Sequence, residues 1–140
     1  MSEDQTKYNF AYVLSCADPA IKPTLTRTFD ERFGSKGYFW IPELGGVKDI
    51  VSPKDPAYRE HIFQKIHDAK KVHSFGLIVL VNHSDCGAYR LAGNSFGDSR
   101  EEETFHAEEL KKAEDLIRKE FPDVAVERHY FLKGEQRTAW

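Results

Sequence analysis

Cys16, His83 and Cys86 are the residues of this chain with the most chemistry to offer. Cys16 stands in Ser15-Cys16-Ala17-Asp18, and the other two in Asn82-His83-Ser84-Asp85-Cys86-Gly87. The chain holds 2 cysteines in all, and each falls where an apolar, strand-like run stops. Two thiolates and an imidazole are the ligand set of a catalytic zinc with one coordination position left open. His-x-x-Cys is a workable clip, because three-residue spacing lets one turn present both side chains. By itself the clip is a weak signal; joined to a cysteine at the end of another core strand it is more specific. Plainer readings stand beside it: Cys16 and Cys86 as a buried, inert pair, and His83 as a histidine satisfied by loop hydrogen bonds. The metal reading requires the three to converge.

The remaining candidates carry less. His61, His67 and His73 are spaced by six on one expected helix. Six residues turn a helix by roughly 600°, about 240° net, so the three do not share a face and read as surface residues. His106 and His129 have no recognisable partner in the sequence. A Ser-His-Asp relay from Ser84, His83 and Asp85 fails because adjacent side chains cannot form it. A Cys-His hydrolase built on Cys86 and His83 lacks an oxyanion loop. Arg90 follows Cys86, but the spacing does not suit a phosphate-cradling loop.

The elements that must position the three can be read from periodicity. Residues 9–14 are short and apolar, a strand. Residues 23–33 predict a helix with Leu25, Phe29 and Phe33 inward, Pro23 suiting its start and Gly34 its end. Residues 38–41 read as a second strand stopped by Pro42. Asp55 and Pro56 open a longer helix as cap and first-turn proline, with Tyr58, Ile62, Ile66, Ala69 and Val72 as its buried stripe. Residues 77–81 are a continuous branched apolar run, the mark of a strand buried on both faces. Residues 94–98 are rich in turn formers, and Arg100-Glu101-Glu102-Glu103 reads as a solvated helix start. A third helix is expected over 104–120, with Leu110, Ala113, Ile117 and Phe121 inward and Pro122 ending it. A final strand covers 124–132. The tail after Gly134 is polar and reads as loose, with Trp140 able to dock.

This alternation predicts an α/β fold: a mainly parallel, roughly four-stranded sheet flanked by helices, with right-handed crossovers. Ligands of open α/β sheets sit beyond the carboxyl ends of the strands, where the strand order reverses. Cys16 lies two residues past the first expected strand and His83 just past the third. If those strands are neighbours, the two loops share one crevice. The loop Pro42-Glu43-Leu44-Gly45-Gly46 would lie at the same edge, its glycines allowing close backbone approach.

The composition suits these elements. The chain's 140 residues suit one domain, residues 1–140, and 40% hydrophobic with 31% charged residues is ordinary for a globular protein. The net charge of −3 leaves no basic footprint for nucleic acid. No stretch approaches the roughly 20 apolar residues that span a bilayer. The polar, acidic start Met1-Ser2-Glu3-Asp4-Gln5 is unlike a signal peptide, which sets a cytoplasmic expectation. There, paired cysteines more often bind metal or do chemistry than form disulfides.

At these residues the chain resembles the β-class carbonic anhydrases. That family carries Cys-x-Asp-x-Arg after its first core strand; here Cys16-Ala17-Asp18-Pro19-Ala20 supplies the Cys and Asp but has Ala20 where the family has Arg. Its second motif, His-x-x-Cys-Gly, is matched fully by His83-Ser84-Asp85-Cys86-Gly87. Where the family has Arg-Asn-Ala-Gly after strand two, Pro42-Glu43-Leu44-Gly45 keeps only the glycine, followed by Gly46. The similarity runs from about Tyr8 to the last strand. The chain lacks room for the family's long N-terminal helical arm, so a dimer is expected to be smaller or built differently.

The resemblance implies one zinc ion per chain, held by Cys16, His83 and Cys86, with water or Asp18 in the fourth position. It implies reversible hydration of carbon dioxide to bicarbonate by zinc-bound hydroxide, in a pocket shaped by Gly45, Gly46 and Gly87. It also implies a homodimer or higher homo-oligomer; that neither nucleic acid nor membrane is a partner is the expectation from charge and hydropathy above. In the family the motif Asp either pairs with the motif Arg or swings in to close the zinc site. With Ala20 in the arginine's place, the expectation is a closed site with Asp18 as fourth ligand, or Asp18 held by another donor, Arg27 and Arg90 being candidates. Three other functions stay open: a zinc module with no or weak hydratase activity, a hydrolase of carbonyl sulfide or carbon disulfide, and a metal-free thiol protein.

Overall fold

A computed structural model describes residues 10–134 and 137–140; Asn9, placed in the first strand by the sequence, lies outside them. The chain runs β1 (Ala11–Cys16), α1 (Lys22–Phe33), β2 (Tyr38–Glu43), α2 (Lys48–Val51), α3 (Pro56–Val72), β3 (Leu77–His83), α4 (Gly87–Leu91), α5 (Ser99–Glu120), β4 (Ala125–Leu132) and β5 (Arg137–Thr138). The sheet order is β2-β1-β3-β4-β5. The first four of those strands are mutually parallel, and the two-residue β5 is antiparallel to β4. The expected four-stranded parallel sheet is therefore present, with a short fifth strand added from the tail.

Strand alternation sorts the core onto two faces. Tyr12, Leu14, Ile78 and Leu80 pack with Ile50 of α2, Ile62 and Ile66 of α3, and Leu110, Ala113 and Ile117 of α5. Ala11, Val13, Leu77, Val79 and Val81 face the other way, onto Ile21 and the α1 residues Leu25 and Phe29. Every residue of β1 and β3 is buried, as a central parallel strand covered on both faces requires. Among the described residues no helix is long and apolar enough to cross a membrane.

Several boundaries and contacts differ from the sequence reading. β1 and β3 each run two residues further than their apolar cores, so Cys16 and His83 are the last residues of their strands rather than loop residues. Ser15 and Asn82 look like loop formers, but their polar groups are paired: Ser15 Oγ donates to the Cys16 carbonyl and accepts from Trp40 Nε1, and Asn82 is bonded as described below. β2 continues through Pro42 to Glu43, which is possible because β2 is the sheet's outer strand. α5 begins at Ser99 rather than 104. Asp98 caps it by accepting from the Glu101 N–H at 2.8 Å, so a charged, solvated first turn precedes the apolar stripe. In α3 only part of the expected stripe is inside: Ile62 and Ile66 are buried, whereas Tyr58 and Val72 are 50% and 78% exposed. The tail is not loose where it is described. The Ala139 N–H donates to the Tyr130 carbonyl at 2.8 Å, and Trp140 stacks on Tyr130 and donates to Glu103 at 3.0 Å.

Candidate metal centre

β1 and β3 are neighbours, with Ser15 opposite Val81. The strand order reverses there: α1 carries the chain from β1 out to β2, and α3 brings it back to the other side of β1. Both strands end at this switch, one on Cys16 and the other on His83. The chain then turns sharply. Asp85 adopts φ 51°, a left-handed conformation that aspartate tolerates better than most side chains. Two residues anchor the turn: the Ser84 N–H donates to the Phe131 carbonyl at 2.9 Å, and the Asp85 N–H donates to Glu102 at 2.8 Å. Cys86 is thereby returned toward Cys16 just before α4 begins.

The three expected ligands converge. One ligand atom from each of Cys16, His83 and Cys86 lies within 4.8 Å of the others, and all three residues are buried. The two sulfurs are 3.9 Å apart. A tetrahedral zinc with bonds of about 2.3 Å sets two thiolate sulfurs about 3.8 Å apart, whereas a disulfide needs about 2.05 Å. The His83 ring is oriented for the same task. Its Nδ1–H donates to the Ser84 carbonyl at 2.6 Å, which leaves the Nε2 lone pair facing inward. Nε2 is buried and has no hydrogen-bond partner. A buried acceptor with no donor, set among two sulfurs, offers its lone pair to a cation, so the residues fit a thiolate-binding ion such as zinc.

The electrostatics agree. The Cys16 thiol is held well below its usual range, chiefly by a hydrogen bond from Cys86 to its thiolate and further by His83, against the opposing effect of burial. Cys86 is pushed far up, first because its thiol donates that hydrogen bond to Cys16 and then because it is buried. Burial would lower His83, but the adjoining Cys16 thiolate outweighs it and the net shift is upward. The cluster thus favours one thiolate, on Cys16, facing the His83 ring.

Asp18 stands beside the three. Its Oδ2 is 3.9 Å from His83 Nε2 and 2.8 Å from Lys133 Nζ. Its Oδ1 accepts from the Ala20 N–H at 2.9 Å and so caps the 3-10 turn Pro19–Ile21. Lys133, first of all, holds the Asp18 carboxyl below the usual range. Arg90, one of the two donors considered from sequence, pairs instead with Asp85. Lys133 carries no local signal for this pairing in the sequence, being one lysine among many at the end of a strand.

The glycines divide by role. Gly46 has φ +62°, and a Cβ on it would come within 2.3 Å of Asn82 Oδ1 and 2.7 Å of the Val81 carbonyl. It lets the β2–α2 loop lie on the end of β3, where the Val47 N–H donates to Asn82 Oδ1 at 3.1 Å. Gly45 packs against Lys48 and Ala88, while a Cβ on Gly87 would meet nothing within 4 Å. A cleft of about 380 Å³ reaches Cys86 and is lined by Asp85, Arg90, Phe96 and Glu102 among others.

Behind the site lies a buried polar chain. Because Asn82 Oδ1 accepts from Val47, its amide nitrogen faces the other way, donating to His106 Nδ1 at 2.9 Å and Tyr89 Oη at 3.4 Å. The Tyr89 hydroxyl in turn donates to Glu109 at 3.1 Å. His106, which the sequence left without a partner, is fully buried here and lies against the Tyr130 ring. Burial, followed by the charge of His83, lowers its pKa to about 4. Of the surface histidines, His61 and His73 are exposed as expected, and His67 is partly covered by Phe121 and paired with Glu120.

A family model described as "Putative carbonic anhydrase" matches residues 6–137. An uncharacterized protein of Rickettsia conorii is 33% identical over 92 residues, which cover 64% of this chain and 48% of that protein. A second, from Rickettsia bellii, is 29% identical over 92 residues, covering 64% and 55%. The chain thus spans about half the length of the curated relatives it matches. Among solved structures, a tetrameric β-carbonic anhydrase from the ascomycete Sordaria macrospora superposes with a TM-score of 0.50 at 17% identity, covering 96% of this chain and 81% of its own. A β-carbonic anhydrase of Aspergillus fumigatus gives 0.48 at 14% identity, covering 96% and 76%. The Sordaria likeness is one of fold.

Proposed function

We propose that this chain, which belongs to the "Putative carbonic anhydrase" family as a divergent β-carbonic-anhydrase-like member, is a zinc-dependent lyase that hydrates carbon dioxide reversibly to bicarbonate. The observation that carries the reading is the convergence of Cys16, His83 and Cys86 with His83 Nε2 buried and without a hydrogen bond. These three would hold one zinc per chain. Bound there, zinc supplies a hydroxide nucleophile near neutral pH, because it lowers the pKa of a coordinated water from about 15.7 to roughly 7.

The chain's own residues do the rest. Ser84 fixes the His83 tautomer through the Nδ1–H bond. The carboxylate of Asp18, which pairs with Lys133 at 2.8 Å, would accept a hydrogen bond from the attacking group and orient it. The cleft beside Cys86 and the open face at Gly87 provide the approach for a small substrate. We further propose that the chain works as a homo-oligomer in the cytoplasm. The Sordaria enzyme with this fold is tetrameric, and β2 presents an open sheet edge among the described strands.

A second reading has a specific observation in its favour. Ala20 stands where an arginine partner of Asp18 would be expected, and the glycine loop after strand two, Pro42-Glu43-Leu44-Gly45, is altered. On that reading the zinc fastens the ends of β1 and β3 and hydrates little or no carbon dioxide. Stopped-flow hydration by zinc-loaded protein from about pH 7 to 9 separates the two. The lyase reading expects a rate that rises with pH and disappears when zinc is removed. Fully loaded protein no faster than buffer would refute it.

A further inference from the structure

We infer that Lys133 is the positioning residue of this site: from the end of β4 it holds the Asp18 carboxylate away from the metal position. The inference rests on the zinc reading above. Asp18 lies two residues beyond Cys16, with Oδ2 only 3.9 Å from His83 Nε2. A carboxylate oxygen binds zinc at about 2.0–2.2 Å, so a side chain this close to the ligand set is a natural fourth ligand unless something opposes it. A ligand in that position would shut the site to water.

Both oxygens of Asp18 are engaged elsewhere. Oδ1 accepts the Ala20 N–H at 2.9 Å, a neutral contact that competes weakly with a dication. Oδ2 accepts from the Lys133 ammonium at 2.8 Å, and this is the charged contact that can compete. Ala20 is exposed and contributes only its backbone.

Lys133 is well placed to hold on. Its backbone N–H donates to Ser84 Oγ at 2.8 Å, while the Ser84 N–H donates to the Phe131 carbonyl at 2.9 Å. The end of β4 is therefore stitched to the loop that carries His83 and Cys86. Lys133 Nζ also lies 3.4 Å from the Asp85 carbonyl and 3.8 Å from its carboxylate, and Arg90 pairs with that carboxylate. Asp18, Lys133, Asp85 and Arg90 form an alternating row of charges beside the three ligands. Asp85 and Arg90 are 65% and 63% exposed, so their pair holds little. Asp18 is 19% exposed and Lys133 28%, so the inner pair is the less exposed of the two.

The test is anion access to the metal in cobalt-loaded protein, read from the visible spectrum with azide as probe. The unsubstituted protein and Lys133→Arg should shift their ligand-field bands as azide is added. Lys133→Met, similar in length but uncharged, should bind azide at least about tenfold more weakly, a size typical of losing an outer partner of a metal site. Asp18→Asn added to Lys133→Met should restore the azide response, because the competing carboxylate is gone. Lys133→Met that binds azide as tightly as the unsubstituted protein would overturn the inference. So would a Lys133→Met defect that Asp18→Asn leaves in place. Absence of thiolate-to-cobalt absorption in the unsubstituted protein would instead overturn the zinc reading, and the inference with it.

Discussion

Two glycines with the same one-letter code answer to different constraints at this site. Gly46 combines φ +62° with a contact in which an added Cβ would sit 2.3 Å from Asn82 Oδ1. Gly46→Ala is therefore expected to cost about 2–4 kcal/mol, from the left-handed backbone and the clash together. Gly87→Ala meets no atom within 4 Å and should change stability by less than about 0.5 kcal/mol. Urea unfolding of the two variants measures the contrast, and equal losses would remove the packing role given to Gly46. The ligands themselves make a sharper demand. Cys86→Ser replaces a soft sulfur with a hydroxyl that rarely ionises, and should bind zinc at least about a hundredfold more weakly in competition with a chelator. Retained affinity would mean that the metal, if any, sits elsewhere.

At the scale of elements, the site exists because β1 and β3 stop at the same level. Much of this was legible. The run Leu77–Val81 announces a strand buried on both faces, and alternation with helices announces its parallel neighbours. Where the reading failed, the reasons are physical. Ser15 and Asn82 disguise the last turns of their strands, because a buried polar residue looks like a loop until its partners are known. α2 and α4, Lys48–Val51 and Gly87–Leu91, are too short to carry a periodicity. Lys133 reaches Asp18, and Asn82 reaches His106, across distances in sequence that no local pattern encodes. The buried His106 on α5 yields a prediction of its own. Its pKa near 4 lies below the ordinary histidine value of 6.5. Between those values the unfolded chain binds more protons than the folded one, so stability falls as pH drops from 6.5 toward 4. The loss should reach on the order of 2–3 kcal/mol. Urea unfolding of His106→Asn over that interval should show a shallower slope, and an unchanged slope would exclude His106 as its source.

The whole molecule is a sheet sandwiched between α1 on one face and α2, α3 and α5 on the other, with its chemistry gathered at one end. That end also carries exposed apolar side chains: Leu44 is 72% exposed and Leu91 91%. With the open edge of β2, they lead us to expect more than one copy per particle, which sedimentation equilibrium measures; a monomer at all concentrations would contradict the proposed assembly. The central claim is narrower and concerns the three residues on which the chain turns. X-ray absorption at the zinc edge of loaded protein tests it most directly. The account predicts one zinc per chain with two sulfur neighbours at about 2.3 Å and nitrogen or oxygen neighbours at about 2.0–2.2 Å. A bound zinc surrounded by nitrogen and oxygen alone would contradict it.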